Sequence, residues 1–574
     1  MSPFADKVEM QHRLFAELSS MFGKEVPLYD KSLLANQVCN RTVCDLVALR
    51  HVGFSITDTQ IDRTSGERHG AIRIGRPDEF RWIARFFAAF AMEPHNFYDM
   101  ANVGAKSQPI IATAFRSRVN PDHRVFSSLL LTDYFDDATR ARIEAVLSTR
   151  QVFSDRAKEL IERGEAQGGL NPTDAADLIR EGTERIFKWT GRARDHALYK
   201  DLCNAGFKIA ADIACFERHH LNHLTPNTLC MDLYTSAMKK CMGEIDAGEF
   251  VRRATRALTH LAIAADDDWM QLHFKHMSPE AIGAFGKGQI TSAAIDAAVE
   301  ALAERLSRSD LQLSVLRHAG FKDSTEGPSQ DTPVLLRQDA YKALTEPVRF
   351  TNPDGTTIDT VHTARFGEIE ERFYATTKAG RDLYDQCLTR ADAQRDRLVA
   401  LAKTDEAAAA AEYATYFTPF PKTLAGLIEE GLVYAEYSPT PAGAVAAGSG
   451  AVIGPRSCDL AERVRLGHAR VQGLRHEDFL PVSAAGIFAS NLSQYGTKTT
   501  AAKKPVYTQR RLEEIMGRSI VDADAAYAAM EAASKLRTYA ALGLIDELLP
   551  ATRAALEHAA RFANAPLPAG AGVA

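Results

Sequence analysis

The sequence contains no C-x-x-C pair. Its eight cysteines are scattered, and the nearest two are Cys39 and Cys44. In a chain of 574 residues that spacing reads as reduced, cytosolic thiols buried as small hydrophobes. No run of eighteen apolar residues occurs, so no membrane-spanning helix is expected. The stretch from Met1 to Glu17 interleaves Asp6, Lys7, Glu9, Arg13 and Glu17 with apolar residues and lacks the uninterrupted apolar core of a secretory signal. A basic excess is missing too. A net charge of −6 and a pI near 6.3 argue for a soluble protein and against a nucleic-acid surface. The phosphate-cradling pattern G-x-x-x-x-G-K-[ST] is absent, and no strand leads through G-x-G-x-x-G into a helix. Without a G-x-S-x-G elbow there is no local case for a serine hydrolase.

What is present is ordinary globular composition, 45% hydrophobic and 25% charged, in a chain long enough for several domains. Helical spacing of Val8, Met10, Leu14, Leu18 and Met21 predicts helix in the first fifty residues. Phe54 to Thr57 reads as the opening of a strand, and His69 to Ile74 as a short strand between glycines. Residues 78–92 form an amphipathic helix behind Pro77. Strands are expected at 109–116 and 124–132, then helix through 136–217 and again through 235–309. Strand character returns at 333–337, 348–351 and 362–370, with a turn at Asn352 to Gly355. Gly443 to Gly454 reads as a Gly/Ala-rich loop, and the end of the chain as helical. The fold class is α+β, divided as follows: 1–135, the N-terminal part of a core; 136–217, a helical segment; 218–385, the rest of the core with a helical insertion at about 235–309; and 386–574, a C-terminal helical region.

Three segments carry candidate chemistry. In an extended stretch, His69 and Arg73 share one face, so a metal-ligating imidazole and a carboxylate-binding guanidinium line one wall; a surface His and Arg is the plainer meaning of such a pair. His219, His220 and His223 precede Pro226. His219 and His223 chelate a metal if that segment is helical, whereas Pro226 favours a break in the chain. Glu368 and Glu370 fall on one face of a strand and Glu371 on the other. Two same-face carboxylates are costly without a cation, unless the face is an exposed edge. Two histidines and one carboxylate are the ligand set of a mononuclear iron(II) oxygenase.

Taken together, residues 67–75 (ERHGAIRIG), 112–116 (ATAFR), 222–226 (NHLTP), 326–328 (EGP), 334–338 (VLLRQ), 365–372 (RFGEIEER), 377–385 (TKAGRDLYD) and 478–492 (DFLPVSAAGIFASNL) resemble the 2-oxoadipate dioxygenase/decarboxylase family, also called 2-hydroxyglutarate synthase. The resemblance implies a vicinal-oxygen-chelate-like mixed sheet, a half-open barrel, with large helical additions. It implies one Fe(II) held by His69, His223 and Glu368, with Glu370 as the fallback third ligand. The run from Glu368 to Arg372 looks like the ligand-bearing run of the 4-hydroxyphenylpyruvate dioxygenases. Arg73 matches the arginine that holds the distal carboxylate of the substrate, and Val482 and Ser483 match a segment lining its pocket. The implied reaction converts 2-oxoadipate and O2 into 2-hydroxyglutarate and CO2, a step in lysine breakdown, in the cytoplasm, without nucleic acid or membrane partners. A non-catalytic oxo-acid sensor and a glyoxalase-type isomerase or lyase are the alternatives on the same fold.

Overall fold

Asp6 accepts hydrogen bonds from the backbone N–H groups of Val8 and Glu9 and so starts α1 (Lys7–Glu25); Pro27, tolerated in a first turn, starts α2 (Pro27–Arg50). The computed structural model describes residues 4–66, 68–102, 107–118, 120–322, 325–448, 458–480 and 507–562. Phe54 to Thr57, expected to open a strand, instead leads into a short helix at Asp58–Thr64. The Thr57 hydroxyl and the Gln60 side chain cap it reciprocally, a local signature that outweighs the alternation.

β1 (Arg68–Ile74) is followed by α3 (Pro77–Ala88), which lays Phe80 and Phe87 against Phe115. β2 (Glu93–Asp99), β3 (Ile110–Arg116) and β4 (His123–Leu130) follow. After a helical stretch ending in α4 (Lys208–Cys215) comes β5 (His223–Pro226). These strands form one sheet in the order β2-β3-β4-β1-β5, with β1 parallel to β4 and every other pairing antiparallel. Every residue of β3 and β4 is buried, as expected of strands covered on both faces. Gly70 lets β5 and its approach lie close to β1: a Cβ there would come within 2.8 Å of Leu221 Cδ2 and 3.2 Å of the His223 carbonyl oxygen.

The tract at 235–309 is helical. α5 (Met231–Cys241), α6 (Ala247–Ala264) and α7 (Ser292–Leu306) pack on one another, and α5 and α7 also pack on α2. β6 (Leu336–Ala340), β7 (Leu344–Thr351), β8 (Thr357–Arg365) and β9 (Glu368–Arg372) follow. β7 and β8 form a hairpin closed where expected, with Gly355 at φ +80°. The single strand expected over 362–370 is two strands. Phe366 and Gly367 separate them, β8 pairs with β7, and β9 leaves to pair with β6. The break falls at Gly367 because the ring of Tyr341 lies where its Cβ would be. β9 also runs beside the end of β5: the Thr228 N–H donates to the Glu370 carbonyl at 2.8 Å.

Beyond α8 (Lys378–Asp392) and α9 (Glu406–Tyr416), the C-terminal region is not purely helical. β10 (Ala435–Pro439) and β11 (Ala469–Gly473) form an antiparallel pair under α10 (Ala523–Ala541), with the Tyr437 N–H donating to Ser534 Oγ at 3.0 Å. The Gly/Ala-rich stretch begins as a helix, Pro441–Gly448, started by the Thr440 hydroxyl; its remainder lies outside the described residues. The molecule is thus a mixed helix-and-sheet fold, and none of the sheets among the described residues closes on itself. Among these residues no helix is long and apolar enough to cross a membrane.

Candidate metal centre

β1 and β5 run antiparallel, with His69 opposite Thr225 and Ala71 opposite His223. The two histidines are therefore diagonal neighbours on one sheet face, and their rings lie 5.4 Å apart at 86°. β9, held beside the end of β5, brings Glu368 to them. Glu368 Oε2 lies 3.0 Å from His69 Nε2 and 3.4 Å from His223 Nε2, and accepts from Thr225 Oγ1 at 3.2 Å. One ligand atom from each of His69, His223 and Glu368 falls within 4.8 Å of the others, and all three residues are buried. Glu368 Oε1 is buried with no hydrogen-bond partner among the described residues. Two imidazole nitrogens and a carboxylate with an uncommitted oxygen are a donor set that fits a divalent cation of the iron type. Phe479 and Phe366 wall the site, with ring centroids 4.9 Å from His69 and 5.1 Å from His223.

Glu370 plays a different part. Its carboxylate is fully buried and accepts two hydrogen bonds from Arg372, 2.7 Å from Nε and 2.8 Å from Nη2, and one from Arg124 Nη1 at 3.0 Å. The remaining contact is His69 Nδ1 at 2.7 Å. That contact fixes the Nδ1–H tautomer and turns Nε2 toward Glu368, the arrangement by which outer carboxylates orient metal-binding histidines. Burial pushes the Glu370 carboxyl up, but Arg372, His69 and Arg124 hold it well below the ordinary range. In Glu368 burial is likewise outweighed by His223, His69 and, more distantly, Lys322, so it too is ionised. Burial alone would lower the His69 pKa, yet the two carboxylates raise it above the ordinary histidine value. His223, pushed down to about 4 chiefly by burial, is a neutral imidazole.

Arg73 lies on the same face of β1 as His69, as the i, i+4 spacing implies. It is buried, and its Nη1 donates to Asp212 Oδ2 of α4 at 2.8 Å. Val482 and Ser483 lie outside the described residues, although the segment that carries them begins against the site through Phe479. His219 is not with His223: it faces Glu79 of α3, 3.1 Å from Nε2, because the segment leaves its helix at Phe216 and His223 enters a strand. Glu371 faces the other side of β9, where it accepts from the Met231 N–H at 3.0 Å. A cavity of about 520 Å³ also lies on that other side, lined by Arg337, Asp339, Tyr384 and Tyr413 and by neither His69 nor His223. Arg124 and Arg372 carried no assignment in the sequence. Arg372 was legible through the period-two alternation Glu368, Glu370, Arg372; Arg124 comes from a distant strand and gave no local signal.

A family model described as 2-oxoadipate dioxygenase/decarboxylase matches residues 14–245 and 239–491. The chain belongs to that family. Among its relatives, the 2-oxoadipate dioxygenase/decarboxylase of Pseudomonas putida is 31% identical over 563 residues, covering 94% of this chain and 98% of the relative. The Escherichia coli protein of the same name is 30% identical over 537 residues, covering 92% and 97%. The crystal structure of the hydroxyglutarate synthase from Pseudomonas putida in complex with 2-oxoadipate superposes with a TM-score of 0.65 at 29% identity, covering 95% of this chain and 100% of that one.

Proposed function

We propose that the protein is an Fe(II)-dependent dioxygenase that converts 2-oxoadipate and O2 into 2-hydroxyglutarate and CO2, in the cytoplasm and in lysine catabolism. Its proposed ligands are His69, His223 and Glu368. The observation that carries this reading is the state of Glu368: a buried, ionised carboxylate with one oxygen against two imidazoles and the other without a partner. When bound there, iron(II) supplies the redox partner that lets O2 react with an oxo acid. The chain does the rest. Glu370 holds the tautomer of His69, while Phe366 and Phe479 keep water from the rings. Arg73 meets the far carboxylate of the substrate and so measures its length, with Val482 and Ser483 lining the pocket. The core is a vicinal-oxygen-chelate-like arrangement in which β1 and β5 give the histidines and β9 the carboxylate. The pairing of β1 with β5 supports this reading of the core, and the likeness to a hydroxyglutarate synthase solved with 2-oxoadipate supports the substrate.

The test is anaerobic reconstitution with Fe(II), followed by oxygen uptake over 2-oxo diacids of increasing length. One O2 consumed and one CO2 released per 2-oxoadipate, with 2-hydroxyglutarate as product, is the expected result. Binding without oxygen uptake would make the protein a sensor, and turnover without CO2 release an isomerase or lyase.

A further inference from the structure

The chain forms neither helix nor strand over 477–480, so side-chain bonds rather than a backbone ladder set its path there. Phe479, which walls the metal centre beside His69, lies in this stretch. Four side chains from four elements hold it. Arg372 of β9 donates from Nη1 to the carbonyl oxygens of His476 at 3.0 Å and Asp478 at 2.9 Å. Arg124 of β4 donates from Nη2 to Glu477 Oε2 at 2.6 Å. Arg116, the last residue of β3, donates to both oxygens of Asp478, from Nε at 2.8 Å and from Nη2 at 3.1 Å. The Tyr527 hydroxyl of α10 donates to Asp478 Oδ2 at 2.8 Å and accepts from the Glu477 N–H at 2.7 Å. Arg116, Asp478 and Tyr527 are all buried.

Two of these anchors do double work. Arg372 and Arg124 also hold Glu370, which orients His69, so the histidine and the ring beside it are fixed to one frame. The other two anchors touch none of the three proposed ligands. Arg116 ends the 112–116 motif and Asp478 opens the 478–492 motif, so two segments that carry the family likeness meet in one bidentate pair, a contact with narrow geometry. Tyr527 stands beyond residue 491, where the match to the family model ends. We propose that Arg116, Asp478 and Tyr527 form a clamp that holds Phe479 against His69 and so controls access to the metal centre. The three are positioning residues, acting through Phe479, and the clamp makes the C-terminal helix α10 a part of the site. The proposal rests on the reading of His69, His223 and Glu368 as the metal ligands.

The test reads the metal rather than turnover. Full-length protein is loaded anaerobically with Fe(II), and a chelator strips it while the rate and the equilibrium affinity are measured. Tyr527→Phe removes one hydroxyl and should speed stripping about tenfold, the value of one hydrogen bond to a charged group. Loosening a wall speeds entry and exit alike, so the affinity for iron stays the same. Phe479→Ala should strip at least as fast, and Tyr527→Phe/Phe479→Ala no faster than Phe479→Ala alone, because the tyrosine acts only through that ring. Tyr539→Phe is the control: its hydroxyl, on the same helix, donates to the Cys458 carbonyl at 2.8 Å, and its loss lowers stability without changing the stripping rate. Additive effects of Tyr527→Phe and Phe479→Ala, or equal effects of Tyr527→Phe and Tyr539→Phe, overturn the clamp. A wild type that takes up no iron refutes the ligand reading, and the clamp with it. One that holds iron but consumes no oxygen with 2-oxoadipate refutes the reaction alone, and the stripping rates still decide the clamp.

Discussion

Glu368 and Glu370 stand two residues apart on one strand face, both buried and both against His69, yet their surroundings separate them. Glu370 spends its oxygens on two guanidinium groups and an imidazole N–H; Glu368 keeps one oxygen uncommitted. A carboxylate already saturated by arginines is a poor metal ligand and a good orienting group. Glu368→Gln, His69→Ala and His223→Ala are therefore expected to leave the purified protein without stoichiometric iron. Glu370→Gln should retain it with affinity reduced about 10–100-fold, the usual effect of removing an outer partner. Metal content after dialysis and a competitive chelator titration read this directly. Iron lost from Glu370→Gln and kept by Glu368→Gln would exchange the two roles. The sequence alone left this choice open because alternation places both side chains on one face. What distinguishes them, Arg124 and Arg372, depends on which strand lies beside β4 and how β9 turns.

The elements divide in the same way between what local pattern reveals and what it conceals. β1, α3, β3, β4 and the β7–β8 turn fall within a few residues of where periodicity and capping put them, because each carries its own signal. The division of 362–370 into two strands falls where the alternation changes phase, from Ala364 and Phe366 to Ile369, a shift too short to mark a break by itself. The cause is the Tyr341 ring, twenty-six residues upstream in the chain. The same holds for β10 and β11, which pair across a separation that no local motif spans. Gly367 is where β9 leaves one sheet to deliver Glu368, so an added methyl acts on both packing and site. A Cβ there would stand 2.1 Å from Tyr341 Cε1, on a fully buried ring that has no room to retreat. Gly367→Ala is expected to cost about 1–3 kcal/mol by overpacking, read from the urea midpoint, and to weaken metal binding along with stability. Tyr341→Phe removes only a hydroxyl, so Gly367→Ala/Tyr341→Phe should stay destabilised, whereas Gly367→Ala/Tyr341→Leu should recover part of the loss. No recovery in the latter would mean that the backbone at 367, rather than the ring, sets the break.

Over the whole molecule, stability against pH is a contest between buried acids of opposite behaviour. Glu79 against Arg150 and His219, Asp478 against Arg116, and Glu370 against Arg372 all sit below the ordinary carboxylate range. Their stabilisation is complete above about pH 4.5 and is lost on further acidification. The buried histidines His95, His220, His362 and His476 are held below the ordinary imidazole value, so protonating them also opposes folding as pH falls below about 6.5. Glu371 runs the other way. Burial pushes its carboxyl up to about 7, since Arg337, 3.8 Å away, is already engaged by Asp232. Between about pH 4.5 and 7 the folded protein keeps a proton there that the unfolded chain has released. Stability from this group is therefore full below about 4.5, falls by about 1.4 kcal/mol per unit through the window, and levels off above it. Glu371→Gln mimics the protonated acid at every pH and isolates this one contribution from the others. Its stability relative to the wild type should rise by about 2–3 kcal/mol between pH 5 and pH 8, measured from paired urea denaturation curves. A difference that stays constant with pH would mean that Glu371 is ionised throughout and that Arg337, despite its bond to Asp232, compensates both carboxylates.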